Sequence, residues 1–159
     1  MQKKWIDKGY AVIMLDWYNC RPVPQKTGKT KKVPLDGGPR QDHVANVANM
    51  ILSHTVLRSQ PNVNPNKTIF AGLSWGSWYG AMVAAIDHRF KAGIEIYCGD
   101  IKESDIFTDG RFHQDIKIPL YWIVGTNDKH TTVSTITKAF KAHYALLPEQ
   151  MRNALVSST

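Results

Sequence analysis

The chain has 159 residues, 43% hydrophobic and 21% charged, with 11 Gly and 8 Pro. These proportions sit near globular averages and exclude disordered, collagenous and low-complexity classes, and the length implies one domain over 1–159. The formal charge of +7 favours anionic partners in general, yet no aromatic-and-basic recognition motif accompanies it, so no nucleic-acid partner is expected.

In chain order, residues 10–16 form a near-continuous apolar run from Tyr10 to Leu15 closed by Asp16, which predicts a strand covered on both faces. The run is far shorter than the roughly 20 residues of a membrane helix, and no membrane partner is expected. Arg21, Lys26, Lys29, Lys31 and Lys32 then interleave with Pro22, Pro24, Gly28 and Pro34, a mixture that predicts a solvated loop. Asp36, Gly37, Gly38 and Pro39 read as a helix start, and Val44, Val47 and Ile51 recur at helical spacing toward Arg58.

Residues 68–71 predict a second buried strand, and the Ala-rich stretch 77–87 a helix directly after it. Further strands are predicted over 92–97 and, after Pro119, over 120–124, with an irregular segment between them. Val133, Ile136, Phe140 and Leu147 mark a helix, and 152–157 the start of one more strand. Short strands alternating with helices predict an α/β fold, a mainly parallel sheet with flanking helices. Cys20 and Cys98 lack disulfide-framework or metal-ligand spacing and read as free thiols. No cofactor or metal is called for.

One motif carries chemistry. Gly72-Leu73-Ser74-Trp75-Gly76 is a G-x-S-x-G between a predicted strand and a predicted helix. A serine hydroxyl is a weak nucleophile unless a base takes its proton, and it must stand clear of the sheet to reach a carbonyl carbon. A sharp turn achieves this, with Gly72 and Gly76 expected to remove side chains that would collide, and with the Trp75 N–H facing the oxyanion of acyl transfer. A glycine-rich turn with a capping serine, or one cradling a phosphate, is the competing explanation. Asp128, just past the strand at 120–124, fits the acid that orients the base, with Asp100 in reserve. Of six histidines only His130 and His143 follow Asp128. His130 shares its loop and His143 falls on the following helix, so neither is well placed as the base.

At these residues the chain resembles α/β hydrolases of the dienelactone hydrolase, acetyl xylan esterase and prolyl oligopeptidase type. The resemblance runs through residues 5–19, the Gly72 to Gly76 turn and residues 119–128. It implies a partial α/β-hydrolase fold, Ser74 as nucleophile, Asp128 as acid, Trp75 as one oxyanion donor, and a small-molecule ester or carbohydrate ester as substrate. It also implies opening strands before Met1 and a catalytic histidine beyond Thr159, so that this chain alone is expected to turn over little ester. The alternative is a non-catalytic piece of the same fold.

Overall fold

The computed structural model describes residues 2–15, 20–24, 30–34, 43–97, 112–128, 133–145, 147–150 and 152. They belong to two compact units, Met1–Val63 and Asn64–Thr159.

The first unit opens with helix α1, Gln2–Ile6. Gly9 closes it at φ 82°, the left-handed conformation in which glycine carries no Cβ penalty. Gly9 N–H donates to the Ile6 carbonyl at 2.9 Å and Tyr10 N–H to the Trp5 carbonyl at 3.1 Å. That bond pair is a Schellman cap, and the Trp5 and Tyr10 rings supply its apolar contact edge to face at 5.3 Å. The strand expected over 10–16 is not formed. Residues 10–15 join no ladder, and Tyr10, Val12, Ile13 and Met14 are exposed; Asp16 lies outside the described residues. An apolar run specifies what could be buried, whereas a strand exists only where a neighbour supplies hydrogen bonds.

The expected basic loop is instead a hairpin, β1 Cys20–Pro24 paired antiparallel with β2 Thr30–Pro34. Pro22 faces Lys32, Pro24 faces Thr30 and Pro34 faces Cys20, so all three prolines share one parity. Proline has no N–H to give a ladder and is tolerated on the outward parity of an edge strand, which leaves Arg21 with Val33 and Val23 with Lys31 as bonding pairs. Helix α2, His43–Arg58, follows. Its expected start at Asp36 to Pro39 lies outside the described residues. Asn46 and His54 are buried, Val47 and Ile51 are half-buried and Val44 is exposed, so its covered face takes in two of the three residues that the valine and isoleucine spacing marks.

The second unit is a three-stranded parallel sheet in the order β3 Ile69–Leu73, β4 Ala92–Ile96, β5 Leu120–Ile123. Helix α3, Trp75–Ile86, joins β3 to β4, and α4, Val133–Tyr144, follows β5. The mainly parallel α/β architecture expected from the alternation is present. Residues Ser77 to Ala84 of α3 are buried consecutively, as befits a helix that is apolar all round.

Register puts Phe70, Gly93 and Leu120 in one row of the sheet and Gly72, Glu95 and Trp122 in the next. A Cβ on Gly80 of α3 would lie 2.6 Å from the Phe70 ring, and one on Gly93 would overlap Phe70 and Leu120. The two glycines thus seat a phenyl ring between helix and sheet, where Phe90 meets it edge-on at 5.7 Å. Among the described side chains of α4 the buried ones are Ile136, Ala139 and His143, followed by Leu147; the expected stripe members Val133 and Phe140 are exposed. Arg152, expected in a strand, donates its N–H to the Pro148 carbonyl at 3.1 Å and is helical. Residues 153–157 lie outside the described set.

Candidate active site

β3 ends at Leu73 and α3 begins at Trp75, so Ser74 alone makes the turn. Its backbone sits at φ 54°, ψ −118°, a conformation that is costly for a residue with a Cβ. Ser74 occupies the N-cap position, yet its hydroxyl makes no capping bond, and the residue is exposed. A capping serine therefore does not explain the motif.

Neighbouring atoms hold the strained turn in place. Ser74 N–H donates to the Ile96 carbonyl at 2.8 Å, and the Ser74 carbonyl accepts the N–H groups of Ser77 and Trp78 at 2.9 and 3.3 Å. The Ser77 hydroxyl, fully buried, lies 2.7 Å from the Gly72 carbonyl and 2.9 Å from the Ile96 carbonyl, and accepts the Ile96 N–H at 3.0 Å. One hydroxyl proton thus serves two carbonyls while the oxygen satisfies an amide. The role of the glycines is asymmetric. A Cβ on Gly72 would overlap the Gly76 carbonyl and come within 2.5 Å of the Ser77 nitrogen, whereas a Cβ on Gly76 meets nothing within 4 Å. The expected crowding applies to Gly72 and not to the Cβ position of Gly76.

Trp75 opens α3, where amides point out of the helix end rather than into its ladder. Its exposed ring packs edge-on against Trp78 at 4.8 Å. Trp78 and Tyr79 are core side chains; Trp17 and Tyr18 lie outside the described residues.

Because β3, β4 and β5 run parallel, their carboxyl ends share one edge of the sheet. Ser74 follows β3 at that edge, and the turn from Gly125 to Asp128 follows β5 there, closed by Asp128 N–H donating to the Gly125 carbonyl at 3.2 Å. One strand stands between them, so at about 4.8 Å per strand the two chain positions are roughly 10 Å apart across the sheet. Between them, at the end of β4, Tyr97 has φ 55°. Asp100 lies outside the described residues.

The described histidines of this unit are placed elsewhere. His88 follows the far end of α3 and donates Nε2–H to the Ala85 carbonyl at 3.0 Å; twelve residues of helix put it about 18 Å from the Ser74 turn. His113 and His143 are buried on the covered side of the sheet. His113 Nε2 bonds Glu95 Oε2 at 3.2 Å, and His143 donates Nε2–H to the Ile118 carbonyl at 2.8 Å. Burial pushes the His143 pKa down, reinforced by His113 and opposed by the Ile118 bond and by Glu95. His130 lies outside the described residues. Among the described residues no group of three or more His, Cys, Asp or Glu side chains is arranged to hold a metal ion.

Sequence reasoning did not single out Ser77 or Tyr97. Ser77 leaves a trace, the one serine in a helix otherwise built of apolar and aromatic residues. Tyr97 leaves none, because its distinguishing feature is a backbone angle.

Comparison with known proteins agrees with this geometry at the level of family. A model described as the dienelactone hydrolase family matches residues 1–148. No curated protein matches the chain.

Proposed function

Because the chain belongs to the dienelactone hydrolase family, within the α/β hydrolases, we propose that it is a serine hydrolase that cleaves carboxylic esters through an acyl-enzyme on Ser74. The observation that carries this reading is the Ser74 turn: an exposed hydroxyl on a strained backbone, uncommitted to capping its helix, at the carboxyl edge of a parallel sheet.

In this reaction Ser74 Oγ attacks the ester carbonyl carbon while a base takes the hydroxyl proton. The carbonyl oxygen becomes an oxyanion facing the Trp75 N–H at the start of α3, where the helix dipole also favours negative charge. Collapse expels the alcohol, which leaves with the proton, and water then releases the acid by the same route in reverse. Asp128 orients the base; the spacing of roughly 10 Å between strands β3 and β5 leaves room for an imidazole between carboxylate and serine. The base is not one of the described histidines of this unit, since His113 and His143 are buried with their bonds directed inward and His88 sits at the wrong end of α3. The substrate is a small-molecule ester, carbohydrate esters included.

Labelling with a fluorophosphonate tests this. The chain should react and Ser74→Ala should not, with Asp128→Asn slower than the parent. Equal labelling of parent and Ser74→Ala, or none of either, would overturn the assignment in favour of a non-catalytic member of the fold.

A further inference from the structure

We infer that Tyr97 is a wall of the Ser74 site and selects esters that carry a planar aromatic group beside the reacting carbonyl, an inference that rests on the assignment of Ser74 above. Among the described residues two non-glycine residues have positive φ, Ser74 at 54° and Tyr97 at 55°. They end adjacent strands and are joined through the backbone: Ser74 N–H donates to the carbonyl of Ile96, the residue before Tyr97. Tyr97 N–H in turn donates to the Ile123 carbonyl at 2.8 Å, at the end of β5. The second strained residue therefore sits between Ser74 and the turn that carries Asp128.

Tyrosine is poorly suited to this conformation. Glycine adopts it without penalty, and Asn or Asp offset its cost with a short polar side chain that bonds locally. Tyrosine has neither property. Full burial of the ring does not offset the cost either, because Tyr97 is 44% exposed. Its Cε1 lies 3.9 Å from where a Cβ on Gly125 would be, so the ring stands over the start of the Asp128 turn. Strain retained at an exposed residue on the ligand-binding edge of an open sheet is the pattern of a residue held for contact with substrate. An aromatic face in that place recognises a flat partner, through offset or edge-on stacking.

The test uses the whole chain and two probes, a phenyl and a methyl fluorophosphonate, with kinact/KI measured for each and melting temperature recorded. The parent should prefer the phenyl probe, and Tyr97→Phe should keep that preference because it keeps the ring. Tyr97→Gly should lose roughly two- to tenfold of it, the phenyl rate falling by more than the methyl rate, with the melting temperature held or raised, since glycine relieves the strain. An unchanged phenyl-to-methyl ratio in Tyr97→Gly, loss of the ratio in Tyr97→Phe, or parallel loss of both rates with a lower melting temperature would each overturn the role of Tyr97 while leaving Ser74 as the nucleophile. A parent that neither probe labels would overturn the assignment of Ser74, and this inference with it.

Discussion

The buried hydroxyl of Ser77 accepts the N–H of Ile96 at 3.0 Å and lies 2.9 Å from the Ile96 carbonyl, fastening the first turn of α3 to the end of β4. The same carbonyl takes the Ser74 N–H at 2.8 Å. One residue at the end of the middle strand thus anchors both ends of the strained turn. Ser77→Ala would take the donor away from the Gly72 and Ile96 carbonyls at a fully buried position, so it should cost about 1–3 kcal/mol of stability. Urea unfolding measures this, and a change within error would show that the hydroxyl is dispensable.

Gly72 and Gly76 should respond differently to the same substitution. Gly72→Ala drives a methyl into the backbone of Gly76 and Ser77, and backbone cannot give way as a side chain can. A loss of at least about 3 kcal/mol, or failure to fold, is expected. Gly76→Ala finds open space within α3 and should be neutral or stabilising by up to about 1 kcal/mol, because alanine favours helix. Thermal melts of the two variants side by side decide the matter.

Stability should fall as the solution is acidified through the histidine range. The His143 pKa is lowered in the folded chain, so below the unfolded value of about 6.5 the unfolded state binds the proton first and gains relative to the native state. The loss begins near that pH and continues downward until folded His143 also protonates. His113 opposes protonation and Glu95 favours it. Unfolding free energy measured at pH 7.5 and 5.5 should therefore differ, and His143→Gln should shrink the difference while lowering stability at neutral pH.

What was legible beforehand follows what is local. The strand at Ile69–Leu73, the helix at Trp75–Ile86 and the strands at Ala92–Ile96 and Leu120–Ile123 were all marked by short apolar runs broken by Gly or Pro, and the parallel order of the first two strands follows from the helix between them. The apolar run at 10–15 misled, because a strand depends on a partner that no local pattern names. The prolines at 22, 24 and 34 read as breakers, yet shared parity lets an edge hairpin hold them all. In α4, spacing put Val133 and Phe140 inward, while the helix turned Ala139 and His143 to the core; a histidine bonded to a carbonyl can be buried in a way hydropathy does not anticipate. At the candidate site, Ser74 and Asp128 could be named from residue types and order. Ser77 and Tyr97 required the ladder and the backbone angles.

The most direct measurement is the site of covalent modification. Trypsin releases residues 68–89 as one peptide, cut after Lys67 and after Arg89, and it contains both Ser74 and Ser77. After reaction with a fluorophosphonate, tandem mass spectrometry of this peptide should place the adduct on Ser74 and leave the buried Ser77 unmodified. An unmodified peptide, or an adduct on Ser77 or another residue with Ser74 intact, would contradict the assignment of Ser74 as the nucleophile.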